Sequence, residues 1–268
     1  MNVDVRALAH DGLIVTRRNL LRMKRVPDVV VFAAIQPLMF VLLFAYVFGS
    51  AIKVPGISYR EFLMAGVFTQ TVAFGSASTS VGLAEDLQRG IIERFRSLPM
   101  SRAAVLIGRT SADLLNNLVV TVVLTGTGLL VGWRLRSSVP EAFAGFVLLL
   151  LFAYAMSWIS AFIGLSVRSV EVAQSAGFIW LFPVTFVSNA FVPTAGMPRM
   201  LRVIAEWNPI SAVTTALRKL FGNTSAQLAP PTSWPERHAV GLAVLWCIVI
   251  LVVFVPLSVR RYRIASTR

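Results

Sequence analysis

The sequence predicts an all-α protein that crosses a membrane several times, because it is strongly apolar and its apolar residues are gathered into long runs. Of the 268 residues, 56% are hydrophobic and only 14% are charged, and the mean hydropathy is +0.74. Soluble domains carry about 25% charged residues. Six runs have about 20 residues or more, which is the length of helix that spans the hydrocarbon core of a bilayer. We therefore expect a single transmembrane domain over residues 1–268.

Residues 1–28, which precede the first long apolar run, predict an amphipathic helix on the membrane surface. In such a helix the apolar face enters the headgroup boundary and the cations meet lipid phosphates. The segment has no apolar core long enough for a secretory signal peptide. Wound as a helix, it gathers its apolar residues on one side and its basic residues on the other, the latter being Arg6, Arg17, Arg18, Arg22, Lys24 and Arg25.

The six predicted spans follow one another through the rest of the chain. Gln36 and Pro37 predict a kink in the first span, because proline removes a backbone donor and clashes with the preceding turn. The second span is rich in small polar residues. Ser160 and Gly164 in the fourth span have the four-residue spacing that lets two helices approach closely. The predicted spans are residues 29–50, 62–84, 103–132, 142–167, 172–192 and 239–259.

Residues 193–222 predict a helical hairpin on the outer side of the membrane rather than a further span. Two amphipathic stretches are separated by Asn208 and Pro209, and proline inside a helix removes a hydrogen bond. Two short helices joined at a break are typical of a re-entrant hairpin, which enters the bilayer and returns to the same side. A loop rich in proline and serine, residues 222–237, leads to the last span.

The basic residues predict that both ends of the chain lie in the cytoplasm, because cytoplasmic loops are enriched in Lys and Arg. With the N-terminus inside, sixteen of the 25 basic residues fall on the cytoplasmic side and nine on the outer side. A net charge of +13 would suggest nucleic acid as the partner of a soluble protein. Here the cations flank apolar runs, so we expect contacts with the lipid bilayer and no nucleic-acid partner. We expect the location to be the plasma membrane of a bacterium.

The chain carries none of the residue sets that enzymes use, so we expect no catalytic residues, bound cofactor or metal. Its two histidines, His10 and His238, stand far apart in the sequence, and the single cysteine, Cys247, lies in an apolar run. None of the three lysines follows a glycine, which excludes a phosphate-binding loop of the Walker A type. Any ATP that drives this protein is therefore expected to bind to another chain.

Asp113, near the start of the third predicted span, is the most deeply placed acidic residue, and two interpretations of it stay open. A carboxylate inside a membrane marks a functional site by default, such as part of a substrate pathway. Arg109 precedes it by four residues, which is the spacing of an ion pair on one helix face. This spacing favours a structural ion pair over a functional carboxylate.

The charged segment 85–102, between the second and third predicted spans, predicts a short amphipathic helix in the cytoplasm. Its apolar residues share one helix face, and acidic and basic residues alternate on the other. Gly90 weakens the helix by about 1 kcal/mol relative to alanine, and Pro99 ends it. We interpret the segment as a contact for a partner protein; the alternative is a helix that rests on lipid. The residues concerned are Asp86, Leu87, Arg89, Gly90, Ile91, Glu93, Arg94, Phe95, Arg96, Leu98 and Pro99.

Three motifs resemble a known family. Residues 89–99 (RGIIERFRSLP) resemble the cytoplasmic coupling segment of ABC type-2 transporter permeases, especially of the daunorubicin/doxorubicin-resistance branch. Residues 108–114 (GRTSADL) resemble the start of the third span in that family. The third similarity is the hairpin, with NPIS at 208–211 and ALRKL at 216–220. The motifs occur in the family's order over almost the whole chain.

The resemblance implies an interfacial N-terminal helix, six spans, an external re-entrant hairpin, and a dimer made of two identical chains or of paired permeases. It also implies a separate cytoplasmic ATPase subunit, which binds ATP and Mg²⁺ and docks on the coupling segment. We therefore expect a permease subunit of an exporter of hydrophobic or amphipathic compounds, such as drugs, antibiotics or lipids. The permease itself would not be an enzyme.

Two other functions fit parts of the sequence. A permease of the same family that exports a glycolipid or a surface-polymer precursor would share every motif above. A secondary transporter that needs no ATPase would bury ionisable groups deep in its spans, and the middles of the six predicted spans contain none. The sequence therefore favours an ATP-driven exporter.

Overall fold

The computed structural model describes residues 27–49, 52, 54–90, 102–224 and 233–265, and most of these residues are helical. These residues contain no strand, so the predicted all-α class is confirmed for the described part of the chain. The surface helix predicted for residues 1–28 lies outside them, except for its last two residues, which begin the first described helix. Residues 91–101, most of the coupling segment, also lie outside them.

The described helices occur in the predicted order. They are α1 (Pro27–Leu42), which continues as a π-helical turn (Leu43–Phe48), α2 (Tyr59–Gly75), α3 (Ala77–Gln88), α4 (Arg102–Val131), α5 (Val139–Gly164) and α6 (Val170–Phe186). A 3₁₀ turn follows (Thr194–Gly196), and then α7 (Arg199–Trp207), α8 (Pro209–Leu220), α9 (Trp234–Arg237) and α10 (Ala239–Ala265).

Three helices of the described chain are long and apolar enough to cross a membrane: Leu106–Val131 in α4, Val139–Gly164 in α5 and Ala239–Ile264 in α10. Two shorter apolar helices, Ile35–Val47 and Val170–Phe186, stand where the first and fifth spans are predicted. The fifth span ends earlier than predicted, because residues 187–192 are not helical.

The second predicted span is two helices rather than one, with Ser76 between α2 and α3. The Ser76 hydroxyl donates a hydrogen bond to the carbonyl of Ala73 at 2.6 Å and lies 3.1 Å from the hydroxyl of Ser160 on α5. A serine that bonds back to its own helix competes with the regular backbone pattern and bends the helix.

Helix α5 stands at the centre of the bundle, and α2, α3, α4, α8 and α10 pack around it. Its Phe152 and Met156 are among the most deeply buried large side chains of the described chain. A Cβ atom added at Gly164 would lie 2.4 Å from the carbonyl oxygen of Ser80, so the glycine lets the α3 backbone touch α5. This is the close helix contact that the spacing of Ser160 and Gly164 predicts.

The bundle has two ends. At one end α3 ends and α4 begins, and a small apolar core that includes Leu83, Leu106 and Trp158 joins α3, α4 and α5; we call it the coupling end. At the opposite end, the loop after α4 meets the chain after α8, where Trp133 Nε1 donates to Asn223 Oδ1 at 2.7 Å. We call this the hairpin end, because α7 and α8 lie there.

The predicted break in the hairpin is confirmed, because α7 and α8 are separate helices with Asn208 between them. Asn208 Oδ1 accepts a hydrogen bond from the N–H of Ile210 at 2.8 Å and so caps α8. Its Nδ2 donates to the carbonyls of Val184 at 2.6 Å and Val187 at 2.8 Å. One side chain therefore ends α6, begins α8 and holds the two together.

Candidate functional site

A cavity of about 550 Å³ lies within the bundle, between α1, α2, α3, α4 and α6. Pockets for drug-sized molecules measure about 300–1,000 Å³, so the cavity has room for one such molecule. Polar side chains from all five helices reach it, among them Gln36, Gln70, Arg109, Asp113, Asn116 and Gln174. A polar-lined cavity in an otherwise apolar bundle is the candidate site.

The polar wall is organised around Asp113 on α4. Thr79 on α3 donates a hydrogen bond to Asp113 Oδ2 at 2.7 Å, and Asn117 Nδ2 donates to the Asp113 carbonyl at 3.0 Å. Arg109 Nε lies 3.5 Å from the same Oδ2, which is an ion-pair contact longer than a good hydrogen bond. The i,i+4 ion pair expected from the sequence is thus present, and it neutralises both charges.

Two glycines make room for this wall. A Cβ atom at Gly82 would lie 1.8 Å from the Nη2 atom of Arg109, and one at Gly75 would lie 2.7 Å from Oδ1 of Asn117. The guanidinium therefore occupies space that a side chain on α3 would fill. Sequence reasoning missed both glycines; their position in a stretch of small polar residues was the available signal.

Two buried polar atoms in the wall lack a hydrogen bond, and one of them, Arg109 Nε, takes part in the ion pair with Asp113. Within the described chain, Arg109 Nε and Asn116 Oδ1 are buried and have no hydrogen-bond partner. A buried polar atom without a partner costs about 1–3 kcal/mol. A compound that brings a donor to Asn116 would recover part of that free energy.

Aromatic side chains also line the cavity. Phe40 comes from α1, Phe74 from α2 and Phe178 from α6. The rings of Phe74 and Phe178 pack with their centres 5.8 Å apart. The cavity thus offers both apolar surface and hydrogen-bonding groups, a combination that suits an amphipathic molecule.

Helix α3 joins the cavity to the coupling segment, and here the structure corrects one prediction. Ser78, Gly82 and Glu85 line the cavity, but α3 ends at Gln88. Gly90 has a φ of 64°, the left-handed conformation in which glycine commonly ends helices. A continuous helix from residue 85 to residue 98 is therefore wrong, because the helical periodicity overlooked glycine as a stop signal.

The described part of the coupling segment ends at Gly90. Arg89 lies 3.7 Å from Glu85, the i,i+4 pairing expected from alternating charges. Asp86 and Leu87 are half-buried on the last turn of α3. The remaining residues predicted for this site lie outside the described residues: Ile91, Glu93, Arg94, Phe95, Arg96, Leu98 and Pro99.

The structure brings together some predicted site residues and separates others. Arg109 and Asp113 lie in the cavity wall, whereas Asn208 and Pro209 lie at the hairpin end and do not line the cavity. Sequence reasoning missed the three glutamines of the wall, which come from three different predicted spans. A glutamine inside an apolar run was the available signal, because a side-chain amide in hydrocarbon needs a partner.

The described residues hold no cluster of His, Cys, Asp or Glu side chains that could bind a metal ion.

Comparison with known proteins identifies the family of this chain. The profile of the ABC-2 type transporter family matches residues 12–221. The chain belongs to the ABC-2 type transporter family. Of its relatives, the daunorubicin resistance ABC transporter permease protein DrrB1 of Streptomyces coeruleorubidus is 31% identical over 246 residues, which are 92% of this chain and 83% of that protein.

A second relative has the same kind of name. The "Probable doxorubicin resistance ABC transporter permease protein DrrC" of Mycobacterium tuberculosis is 27% identical over 262 residues, which are 95% of this chain and 89% of that protein. The predicted family and its drug-resistance branch are therefore confirmed, and this chain is an ABC-2 permease.

Proposed function

We propose that this ABC-2 permease is the membrane-spanning subunit of an exporter that moves hydrophobic or amphipathic compounds out of the cell. A separate ATPase subunit supplies the energy. The mixed lining of the cavity supports this class of compound, since Phe74 and Phe178 line it together with the Arg109–Asp113 pair. The names of the two bacterial relatives support a drug-like compound.

One observation carries the proposal: α3 is both a wall of the cavity and the start of the coupling segment. Gly82 lines the cavity, and α3 ends at Gln88, which is about two helical turns farther along. A helix this short moves as a rigid rod. A partner that displaces residues 85–102 would therefore also displace the cavity wall.

The partner is a cytoplasmic ATPase subunit, which binds ATP and Mg²⁺. Because this chain has no Walker A motif, the energy of ATP hydrolysis arrives through a protein contact. The segment carries charges of both signs, such as those of Asp86, Arg89 and Glu93. These charges can orient the ATPase on the segment, since complementary charges govern orientation more than affinity. Two permease chains, identical or paired, complete the exporter.

We further infer six spans, formed by α1, by α2 with α3, and by α4, α5, α6 and α10, with both termini in the cytoplasm of a bacterial cell. The hairpin is external and re-entrant. Its depth supports this, because Trp246 Nε1 donates to the carbonyl of Trp207 at 3.1 Å. Trp246 is seven residues into α10, which corresponds to about 10 Å along the span.

Gly90 provides a sharp test of the link between α3 and the partner. Its left-handed conformation costs most other residues about 1–2 kcal/mol, whereas asparagine adopts it more readily. We expect Gly90→Ala to redirect the chain after α3 and to lower both export and co-purification of the ATPase severalfold, and Gly90→Asn to be much milder. Gly126→Ala on α4 is the matched control, because a Cβ there meets nothing within 4 Å.

Phe95→Ala tests the same contact at an aromatic side chain of the coupling segment. Truncating a central aromatic anchor of an interface commonly costs about 2 kcal/mol or more, so co-purification should fall at least tenfold while membrane abundance is unchanged. Phe143→Ala is the control, since Phe143 is 69% exposed on α5. Co-expression with the ATPase, pull-down and efflux of a fluorescent amphipathic drug measure the outcome. Normal pull-down and normal efflux in both Gly90→Ala and Phe95→Ala would refute the coupling role.

A further inference from the structure

Residues 187–192, between α6 and the 3₁₀ turn, are held by side chains rather than by the backbone pattern of a helix. Arg218 Nη2 donates to the carbonyls of Asn189 at 2.8 Å and Ala190 at 3.2 Å. Tyr59 Oη donates to the carbonyl of Phe191 at 3.1 Å. Backbone groups at membrane depth need partners of this kind, because lipid offers none.

Four polar side chains of the hairpin form the main support of this segment. Asn208, Ser211, Thr215 and Arg218 are separated by three or four residues, so they share one face. We call these four residues the α8 stripe. Two further bonds hold Asn189. Ser211 Oγ accepts from the N–H of Asn189 at 3.0 Å, and Thr215 Oγ1 accepts from the Nδ2 of Asn189 at 2.7 Å.

Arg218 is the unusual member of the stripe. It is only 7% exposed, and its Nε donates to the carbonyl of Phe62 at 3.0 Å while its guanidinium carbon lies 3.5 Å from the centre of the Phe62 ring. Within the described chain no carboxylate forms an ion pair with it. A buried cation held by carbonyl groups and a ring is costly to keep, and such residues in membrane proteins mark functional sites.

Phe191, in the same segment, packs against Phe40 of the cavity wall, with the two ring centres 6.3 Å apart. Its ring centre is 4.9 Å from that of Phe44, in the turn after α1, and 5.9 Å from that of Phe186 on α6. The row of rings continues from Phe44 to Phe40, which lines the cavity. Phe191 itself is 5% exposed, so its ring fills the space between the first helix and α6.

We propose that residues 187–192 are a gate at the hairpin end of the cavity, that Phe191 is the side chain that closes it, and that the α8 stripe is its latch. The gate rests on the proposed function in one respect, since it is the exit for a compound held in the cavity. A shift of α8 withdraws the hydrogen bonds of the stripe. Phe191 then leaves its place between Phe44 and Phe186, and the cavity opens to the hairpin side.

The gate can be tested without any transported compound. The full-length permease carries Thr71→Cys, a cavity-wall position, in a Cys247→Ala background. A small membrane-impermeant thiol reagent is applied to the side of the membrane on which a cysteine at Ser225 reacts. The rate of labelling at residue 71 then reports how often the gate is open.

We expect slow labelling in the parent protein. Labelling should be about tenfold faster or more in Phe191→Ala and in Thr215→Val. Losing the closing ring, or one hydrogen bond of the latch, shifts the opening equilibrium of the gate by about that factor. The matched controls keep the parent rate. They are Phe143→Ala, an exposed phenylalanine, and Thr125→Val, a threonine whose hydroxyl bonds only within α4 to the carbonyl of Thr121.

Parent-like labelling in Phe191→Ala and Thr215→Val, in protein that remains abundant in the membrane, would overturn the gate. Fast labelling in the parent would also overturn it, because the cavity would then already be open. The assay needs neither ATPase nor substrate. A failure of the coupling tests therefore leaves the gate standing, and a failure here leaves the coupling proposal standing.

Discussion

At the scale of single residues, Asp113 organises the polar wall of the cavity. Its carboxylate has a neutral donor in Thr79 and a cationic neighbour in Arg109, and the side chains of the pair are only 12% and 14% exposed. Removing one partner of a buried ion pair leaves an uncompensated charge and costs about 3–5 kcal/mol, whereas replacing both partners with apolar residues is often neutral. Comparing the removal of one partner with the replacement of both therefore distinguishes a carboxylate with a structural role from one that only binds substrate.

We therefore expect Asp113→Ala to lower the free energy of unfolding by about 3 kcal/mol. The double variant Arg109→Met with Asp113→Leu should recover most of that loss, because neither charge remains. Thermal unfolding of the purified permease in detergent measures both changes, with Thr125→Val as the control on the same helix. A loss below about 1 kcal/mol in Asp113→Ala would contradict the structural role and assign the carboxylate to substrate.

At the scale of elements, Asn208 rather than Pro209 sets the break in the hairpin. Proline is at home in the first position of a helix, because the N–H that it lacks would have no helical partner there. Asn208 instead makes three hydrogen bonds, one to α8 and two to the end of α6. The geometry of the hairpin, and of the gate beside it, follows from this one side chain.

Asn208→Ala should accordingly lower the free energy of unfolding by about 2–4 kcal/mol, since it removes a helix cap and leaves two carbonyls without their donor. Pro209→Ala should change it by less than about 1 kcal/mol and leave α7 and α8 separate. Thermal unfolding of the two variants, measured side by side, shows which of the two residues sets the break between α7 and α8. Equal losses, or a larger loss in Pro209→Ala, would mean that the proline sets the break.

At the scale of the whole molecule, the two ends of the bundle have different tasks. The coupling end carries the end of α3 and the start of α4, and the hairpin end carries the α8 stripe and residues 187–192. The cavity lies between them, and α3 reaches it from the coupling end while Phe191 packs against its Phe40 from the hairpin end. In the proposed exporter, energy enters at the first end and the compound leaves at the second.

This arrangement requires that the two ends lie on opposite sides of the membrane. In a Cys247→Ser background, a cysteine at Ser225 should react with an impermeant thiol reagent added to intact cells, and a cysteine at Ser97 should not. Disruption of the membrane should make both react, which controls for accessibility. Reaction of the cysteine at Ser97 in intact cells would reverse the proposed orientation.

The sequence by itself determined the class of the protein, the order of its helices and its family. Hydropathy can reveal the class and the order of the helices because each apolar residue of a span adds its own transfer free energy, whatever its neighbours in space. The ion pair of Arg109 with Asp113 and the break at Asn208 were also predictable. Both depend on residues only a few positions apart, and helix geometry relates such residues without knowledge of the fold.

Only the tertiary structure decided where the cavity lies and what holds the gate. Gln36, Gln70 and Gln174 stand on three different helices, and no local pattern indicates that they meet. Arg218 counted in the sequence as one cation of an external segment, whereas its acceptors are carbonyls brought to it by the packing of α8 against α2 and against the chain after α6. The periodicity of a helix determines which face is apolar, but the residues that this face meets depend on the packing of all the helices together.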